Sequence, residues 1–299
     1  MQLPKAVLAG IARHLKPVDW SALARTCPSI LLAMLEASSS LVPLTPALNI
    51  RLAYLSVRSR PRLDEALGPC TFFSIDFRQL PHHEVPEFLL SRLRSVTSRV
   101  PSISGAGPEE RMHAEWELDE LVGSTLAGVN LDTLVLAVVP PGGASSFPQD
   151  SAGRGPWPGS PLRVRDLTLF AEPGASSVRM GVGLDLRLDR LQGLERLDLQ
   201  DIWWEHPGVQ KRLPLLTCLT SLGLLCGPGN EDEGCVEFEL RLPEDMAGRL
   251  RRLELLIWDS DSGAMPVALG PIAALQRLTG LEIHGVRAAE LPRLQALTR

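Results

Sequence analysis

Aromatic residues are scarce in this sequence. They make up 5% of its 299 residues and include a single tyrosine, Tyr54. Hydrophobic residues nevertheless account for 44% of the chain, which is typical of a globular protein and excludes a disordered one. The apolar content therefore comes mainly from leucine, and this bias points to a fold in which leucine repeats.

Long apolar runs are also missing. No uncharged apolar run approaches the roughly 18–20 residues that a membrane-spanning helix needs. The apolar stretch at residues 6–12 is short, with Pro4 before it and Arg13 and Lys16 after it, which is not the pattern of a signal peptide. We therefore expect no membrane partner.

Cysteines are few, and their pattern predicts no disulfide framework. The chain has five, an odd number, and none forms a C-x-x-C pair. Free thiols in a reducing compartment are the simplest interpretation, so we expect the protein in the cytoplasm or the nucleus. The net charge of −5 is mildly acidic. It argues against a nucleic-acid-binding surface, which would need clustered Lys and Arg.

The motifs of common catalytic sites are absent from the sequence. There is no G-x-S-x-G, no phosphate-binding G-x-x-x-x-G-K-[ST] and no G-x-G-x-x-G that opens a helix. His82 and His83 are adjacent and precede Glu84, but a metal site needs three or four converging ligands. We expect no metal, no cofactor and no enzymatic activity. An enzyme on an irregular α/β fold is the remaining alternative.

A repeat dominates the second half of the chain. The template L-x-x-L-x-L, with Val or Ile allowed at single positions, matches six times, starting at residues 131, 164, 194, 219, 250 and 278. The shortest interval is 25 residues (194 to 219) and the longest is 33 (131 to 164), against about 20–29 for a leucine-rich repeat. Each match predicts a short strand whose leucines face one side, and stacked repeats share the resulting core.

These matches resemble divergent leucine-rich repeats. We predict an α/β leucine-rich-repeat solenoid over residues 65–299, interrupted by a loop at 140–161 in which 15 of 22 residues are Gly, Pro or Ser. The alternation of Phe73, Ile75 and Phe77 predicts a strand at the start of this domain. The 4-3-4 spacing of Leu89, Leu93, Val96 and Val100 predicts a helix over 84–100, and a second helix follows Pro108.

The residue between the two strand leucines points away from the core. We expect the concave face to carry Val135, Thr168, Asp198, Gly223, Glu254 and Glu282. The last three form a mildly acidic strip, which suits a basic segment of a target protein. Trp203 and Trp204 directly follow one strand, and exposed tryptophan is favoured as a binding anchor. Packing on a neighbouring repeat is the alternative for these two tryptophans. The tentative target-binding residues are Asp198, Trp203, Trp204, Glu254 and Glu282.

Residues 1–40 differ from the rest of the chain. Apolar residues at helical spacing, with Pro4, Pro17 and Cys27-Pro28 as breaks, predict three short helices. The segment reads Leu3-Pro4-x-x-Val7-Leu8-x-x-Ile11-x-x-x-Leu15-x-Pro17-x-Asp19-Trp20-x-x-Leu23-x-x-x-Cys27. This order and spacing resembles an F-box, a small all-α unit.

The resemblance to F-box proteins with C-terminal leucine-rich repeats implies a function. Such a protein recognises substrates for a cullin–RING (SCF-type) ubiquitin ligase, and its F-box docks on a Skp-type linker subunit. The resemblance carries this docking role over to Leu3, Pro4, Leu8, Ile11 and Leu15. The repeats would then hold the target protein. Two alternatives stay open: residues 3–35 only cap the solenoid, and the chain is a stand-alone binding scaffold with no ligase role.

Overall fold

A computed structural model of the chain defines its architecture. It describes residues 3–38, 41–69, 71–101, 126, 129–139, 163–171, 193–203, 213–226, 238–239, 242, 246, 248–257, 267–268, 275 and 277–284. Within these residues the protein is mixed α/β: short helices lie at the N-terminal end, and a parallel sheet of nine strands takes up most of the remainder.

Three short helices open the chain where the sequence predicts them. They are α1 (Lys5–Ala12), α2 (Pro17–Ala24) and α3 (Pro28–Ala37). Proline stands at the first position of α2 and α3, where its missing N–H costs nothing and its fixed φ suits a helix start. The Asp19 carboxylate accepts a hydrogen bond from the Lys16 backbone N–H at 2.9 Å, which further fixes the start of α2.

The segment between residues 41 and 69 holds elements that sequence patterns did not predict. They are a strand β1 (Leu41–Pro43) and two helices, α4 (Pro46–Arg58) and α5 (Arg60–Leu67). Thr45 caps α4, and Gly68 ends α5 with a φ of 49°, a conformation that favours glycine. Because β1 pairs in parallel with the next strand, the sheet begins at Leu41, earlier than the boundary at residue 65 that the sequence suggested.

The helix predicted over 84–100 is wrong. Strand β2 (Phe72–Asp76) is followed by a 3₁₀ turn at His82–Glu84, a single helical turn α6 (Glu87–Leu90) and strand β3 (Leu93–Pro101). Leu93 and Val96 are fully buried because they face the core from a strand, opposite Phe73 and Ile75 of β2. The 4-3-4 spacing arises because Leu89 lies in the helical turn α6 and the other three residues lie in β3. Pairing of β3 with β2 on one side and β4 on the other outweighs this helix-like pattern.

The remaining strands of the sheet follow in chain order. They are β4 (Asn130–Val139), β5 (Arg163–Ala171), β6 (Arg196–Trp203), β7 (Ser221–Cys226), β9 (Arg252–Ile257) and β11 (Gly280–His284). Each pairs in parallel with its neighbour, in the order β1-β2-β3-β4-β5-β6-β7-β9-β11. A 3₁₀ turn at Leu213–Leu215 precedes β7. Two short strands, β8 (Phe238–Glu239) and β10 (Val267–Ala268), form a separate parallel pair.

The repeated leucines are in register across this sheet. One row of directly paired residues runs Ile75, Val96, Leu134, Leu167, Leu197, Leu222, Leu253 and Leu281. A second row, two residues further along, runs Ser98, Leu136, Leu169, Leu199, Leu224, Leu255 and Ile283. Both rows face the same side, so the six template matches form one continuous layer of apolar side chains.

This layer and the N-terminal helices share one core. A single cluster of buried residues runs from Ala12 and Trp20, through the α4 leucines, to Leu255 and Leu275. Fully burying a leucine stabilises the fold by about 1.5–3 kcal/mol, so the leucine rows dominate the stability of the sheet. The loop predicted at 140–161 and the helix predicted after Pro108 lie outside the described residues.

Candidate protein-binding surfaces

The outward face of the sheet aligns the residues that lie between the strand leucines. Register places Val135, Thr168, Asp198, Gly223, Glu254 and Glu282 in one row across neighbouring strands. The three predicted acids therefore lie on a common line that spans β6, β7, β9 and β11. We call Asp198, Glu254 and Glu282 the acidic row.

Gly223 determines how Asp198 sits in this row. A Cβ added at Gly223 would lie 2.5 Å from Asp198 Oδ1, so the carboxylate leans over the glycine. Gln200 Nε2 donates a hydrogen bond to Asp198 Oδ2 at 2.8 Å and holds the carboxylate in place. The missing side chain at position 223 thus lets the carboxylate of Asp198 lie towards the next strand.

At the other end of the row, Glu282 lies between an arginine and a histidine, with Glu254 close by. The side chains of Glu254, Glu282 and His284 each have an oxygen or nitrogen atom that could bind a metal ion, and these atoms lie within 4.8 Å of one another. The Glu282 carboxylate already has two partners: Arg252 Nη2 lies 3.4 Å from Oε2, and His284 Nε2 lies 3.0 Å from Oε1. These contacts account for the cluster, and we assign no metal to it.

The rows on either side of the acidic row carry cationic and apolar side chains. Two residues before the acidic row, register aligns Asp166, Arg196, Ser221 and Arg252, so cations accompany the acids on one side. On the other side, Leu256 pairs with His284 and is 48% exposed. Leu256 is absent from the binding residues predicted from the sequence, although a leucine immediately after the strand leucine Leu255 must face outward.

The two tryptophans predicted as binding anchors lie only in part within the described residues. Trp203 ends β6, and its backbone pairs with that of Leu225 across a register shift in the ladder. The side chain of Trp203 and the whole of Trp204 lie outside the described part of the chain. Their predicted role in binding therefore stays a prediction.

A second surface lies on α1. Leu3, Val7 and Ile11 are between 43% and 56% exposed and follow one another at a spacing of four residues. Pro4, just before the helix, is also exposed. The other two predicted docking residues, Leu8 and Leu15, are half-buried and pack against the core. Leu3, Val7 and Ile11, which we call the α1 row, are therefore the apolar residues that α1 and the residues just before it offer to a partner.

Val7 is the residue that the predicted docking set omitted. It lies one turn before Ile11, and residues four apart share a helix face. The spacing that singled out Leu8 and Leu15 identified the side that packs on the core, because apolar residues occupy both sides of this segment. The sequence shows Val7 one turn before Ile11. It does not show that these two residues lie on the outer face, because that depends on which side of α1 packs on the core.

Cys27 stands at the start of α3 with an exposed thiol. The backbone N–H groups of Ser29 and Ile30, followed by the Ser29 side chain, lower the pKa of this thiol, since they hydrogen-bond the thiolate. Cys218 is also free and exposed.

Comparison with protein-family models gives no matching family, and comparison with curated proteins gives no match either. In the part of the chain that the structure describes, no helix has the length and apolar character required to cross a membrane. The proposed function therefore depends on these two surfaces and on the fold that presents them.

Proposed function

We propose that this chain is a two-ended adaptor: a substrate-recognition subunit of a cullin–RING (SCF-type) ubiquitin ligase. The α1 row docks on a Skp-type linker subunit, and the outer face of the sheet binds a target protein. The observation that carries the proposal is an exposed apolar row on a helix of the segment that resembles an F-box. The adaptor acts by binding in the cytoplasm or nucleus, without catalysis or a cofactor.

The sheet is proposed to be the strand face of a leucine-rich-repeat solenoid. Strand order that follows chain order, with every pair parallel, supports this, because stacked repeats each add one strand beside the previous one. The two in-register leucine rows support it as well. Such a stack leaves a long, continuous outer surface for a protein partner.

The α1 row supports docking at the linker end on energetic grounds. Each of its three side chains is about half exposed. Burying the exposed half of an aliphatic side chain contributes roughly 1 kcal/mol, since full burial contributes about 1.5–3 kcal/mol. Apolar groups aligned in this way mark an interaction surface more often than scattered ones do.

The target end favours a basic segment with an apolar residue. The acidic row supplies negative charge on three of four adjacent strands, and Leu256 supplies an exposed apolar contact beside Glu254 and Glu282. Complementary charge speeds association and selects partners more than it adds affinity. Leu256 is the better candidate for binding energy.

A stand-alone binding scaffold is the second candidate, and one observation favours it. The N-terminal helices share a continuous core with the sheet, and β1 pairs directly with β2. A solenoid needs its first repeat covered, and helices packed in this way provide a cap. In this case α1 closes the core and the chain has no linker partner.

The experiment is a titration of the full chain with a purified Skp-type linker protein by isothermal calorimetry. The test variant is Val7→Asp with Ile11→Asp, which changes two exposed residues and leaves the half-buried Leu8 and Leu15 in place. The matched control is Val57→Asp, an equally drastic change at an exposed valine of α4. Circular dichroism establishes that all three proteins are folded.

We expect the wild-type chain and Val57→Asp to bind the linker, and the double variant to lose at least a hundredfold in affinity. If the folded wild-type chain does not bind, the adaptor proposal is wrong and the scaffold stands. If the double variant binds as tightly as wild type, α1 is not the docking helix.

A further inference from the structure

Helix α4 presents an apolar stripe that the proposed function does not use. Ile50, Tyr54 and Val57 are between 47% and 87% exposed, and Val57 is the most exposed of them. Their spacing of four and three residues puts them on one face of the helix. The opposite face of the helix packs in the core, where Leu48, Leu52 and Leu55 are buried. We call Ile50, Tyr54 and Val57 the α4 stripe.

Arginines frame this stripe. The guanidinium carbons of Arg51 and Arg58 lie 5.6 Å and 5.5 Å from the centre of the Tyr54 ring, within the range of a cation–π contact. They hold the only tyrosine of the chain between two positive charges. Tyrosine and arginine are the side chains most enriched, with tryptophan, among residues that dominate binding energy.

The surroundings of the stripe are basic in an otherwise acidic chain. Residues 46–62 contain four arginines and no acidic residue. Residues 1–101 contain 12 Lys and Arg against 7 Asp and Glu, a net charge of +5, whereas the whole chain carries −5. Because the positive charge is concentrated where the apolar stripe is exposed, the stripe favours a partner with acidic residues.

The stripe is held rigidly. The buried Asn49 side chain donates a hydrogen bond from Nδ2 to the Glu84 carbonyl oxygen at 2.9 Å, which ties α4 to the turn before α6. At the start of the helix, the Ser21 hydroxyl of α2 donates to the Thr45 hydroxyl at 2.8 Å. A preformed surface loses little conformational entropy on binding.

We propose that the α4 stripe docks an amphipathic helix of another protein, with apolar residues at i, i+3 or i+4, and i+7, flanked by Asp and Glu. An apolar ridge of this spacing fits the groove of a second helix. The flanking acids of the partner meet Arg51 and Arg58. A second copy of this chain is a poorer occupant, because pairing α4 with itself brings like charges together.

This site is separate from the proposed linker site. Helix α4 packs on α2 and α5, whereas α1 packs on α3. The two exposed rows therefore belong to different helices and can be changed one at a time. The inference does not depend on the proposed ligase role.

The test is selection of peptides from a phage-displayed library of random 16-residue sequences on the immobilised full-length chain. Binders to a Val57→Asp variant are removed first. Enriched sequences are synthesised with a fluorescent label, and their affinities are measured by anisotropy at two salt concentrations. The variants are Tyr54→Ala, Arg58→Glu and, as control, Val7→Asp with Ile11→Asp.

We expect the enriched peptides to be acidic with apolar residues at helical spacing. Tyr54→Ala is expected to weaken them at least tenfold, and Arg58→Glu to weaken them and reduce their salt dependence. The α1 double variant is expected to bind them as wild type does. The proposal is overturned by selection without enrichment, by neutral or basic consensus sequences, or by peptides that ignore Tyr54→Ala. Concentration-dependent dimerisation that Val57→Asp abolishes would assign the stripe to a second copy instead.

Discussion

Leu255 and Leu256 are adjacent on β9, and they offer a sharp test of the fold. Leu255 lies in a core row and is fully buried, whereas Leu256 points outward and is 48% exposed. We predict that replacing each in turn by alanine gives very different losses of stability. The two changes remove the same atoms from the same strand, so each serves as the matched control for the other.

The magnitudes follow from burial. Leu→Ala removes the equivalent of about three buried CH₂ groups, or roughly 2.4 kcal/mol of transfer free energy at about 0.8 kcal/mol each. At Leu255 the cavity left in the leucine row adds to this, and the total loss is about 3–4 kcal/mol. At Leu256 about half of the side chain is already in water, so the loss is about 1 kcal/mol and no cavity forms.

Urea unfolding followed by circular dichroism at 222 nm measures both losses. Midpoints are compared at equal slope, because a long parallel sheet does not always unfold in a single step. A difference of less than about 1 kcal/mol between the two variants, or a greater loss for Leu256→Ala, would refute the assignment of the two faces. It would also remove the basis for the acidic row, since a one-residue slip turns every side chain of a strand over.

Two smaller predictions concern other positions. Gly223→Ala alone should change the free energy of unfolding little, because gaining a strand-compatible side chain (about 0.5–1 kcal/mol) is offset when the Asp198 carboxylate must move away from Gln200. In an Asp198→Ala background the same change should stabilise the protein, and a double-mutant cycle from urea titrations that shows no coupling would contradict this contact. At Cys27, backbone donors to the thiolate lower the thiol pKa below its ordinary 9.0. Alkylation by iodoacetamide, followed by peptide mass spectrometry, should therefore reach half its maximal rate at a lower pH in the folded chain than in urea. The stability that those donors contribute is present above the unfolded pKa and is lost as the pH falls through the folded one; equal midpoints in both states would disprove the thiolate contact.

The α1 row, the α4 stripe and the acidic row are three exposed surfaces with different chemical character. The α1 row and the α4 stripe lie on N-terminal helices in the basic part of the sequence, and the acidic row lies on the outer face of the sheet. Partners of opposite charge are thus expected at the α4 stripe and on the sheet. Variants at Ile11, Val57 and Leu256 separate the three surfaces, because each residue is exposed and lies on a different element.

Short sequence patterns predicted the secondary structure correctly where a single local property, such as the fixed φ of proline or an apolar alternation, determined it. The breaks predicted at Pro17 and Cys27-Pro28 do separate the three N-terminal helices. Helices α2 and α3 begin at the prolines themselves, because the fixed φ of proline suits a helix start. The alternation of Phe73, Ile75 and Phe77 correctly predicted β2. Patterns failed at Leu93 and Val96, where helical spacing was produced by a strand, and between residues 41 and 69, where no pattern was assigned to β1, α4 or α5.

The sequence by itself determined which leucines share a face, because a period-two alternation places alternate side chains on one side of a strand. The parallel pairing and the order of the strands were decided by the tertiary structure. The sequence also determined the acids that lie between those leucines. Only the tertiary structure decided which face of each helix is covered. Leu8 and Val7 are both apolar and adjacent, and only the position of the shared core half-buries the first and exposes the second. The same holds for Tyr54, because a helix exposes an apolar stripe only when the elements packed around it leave that side open.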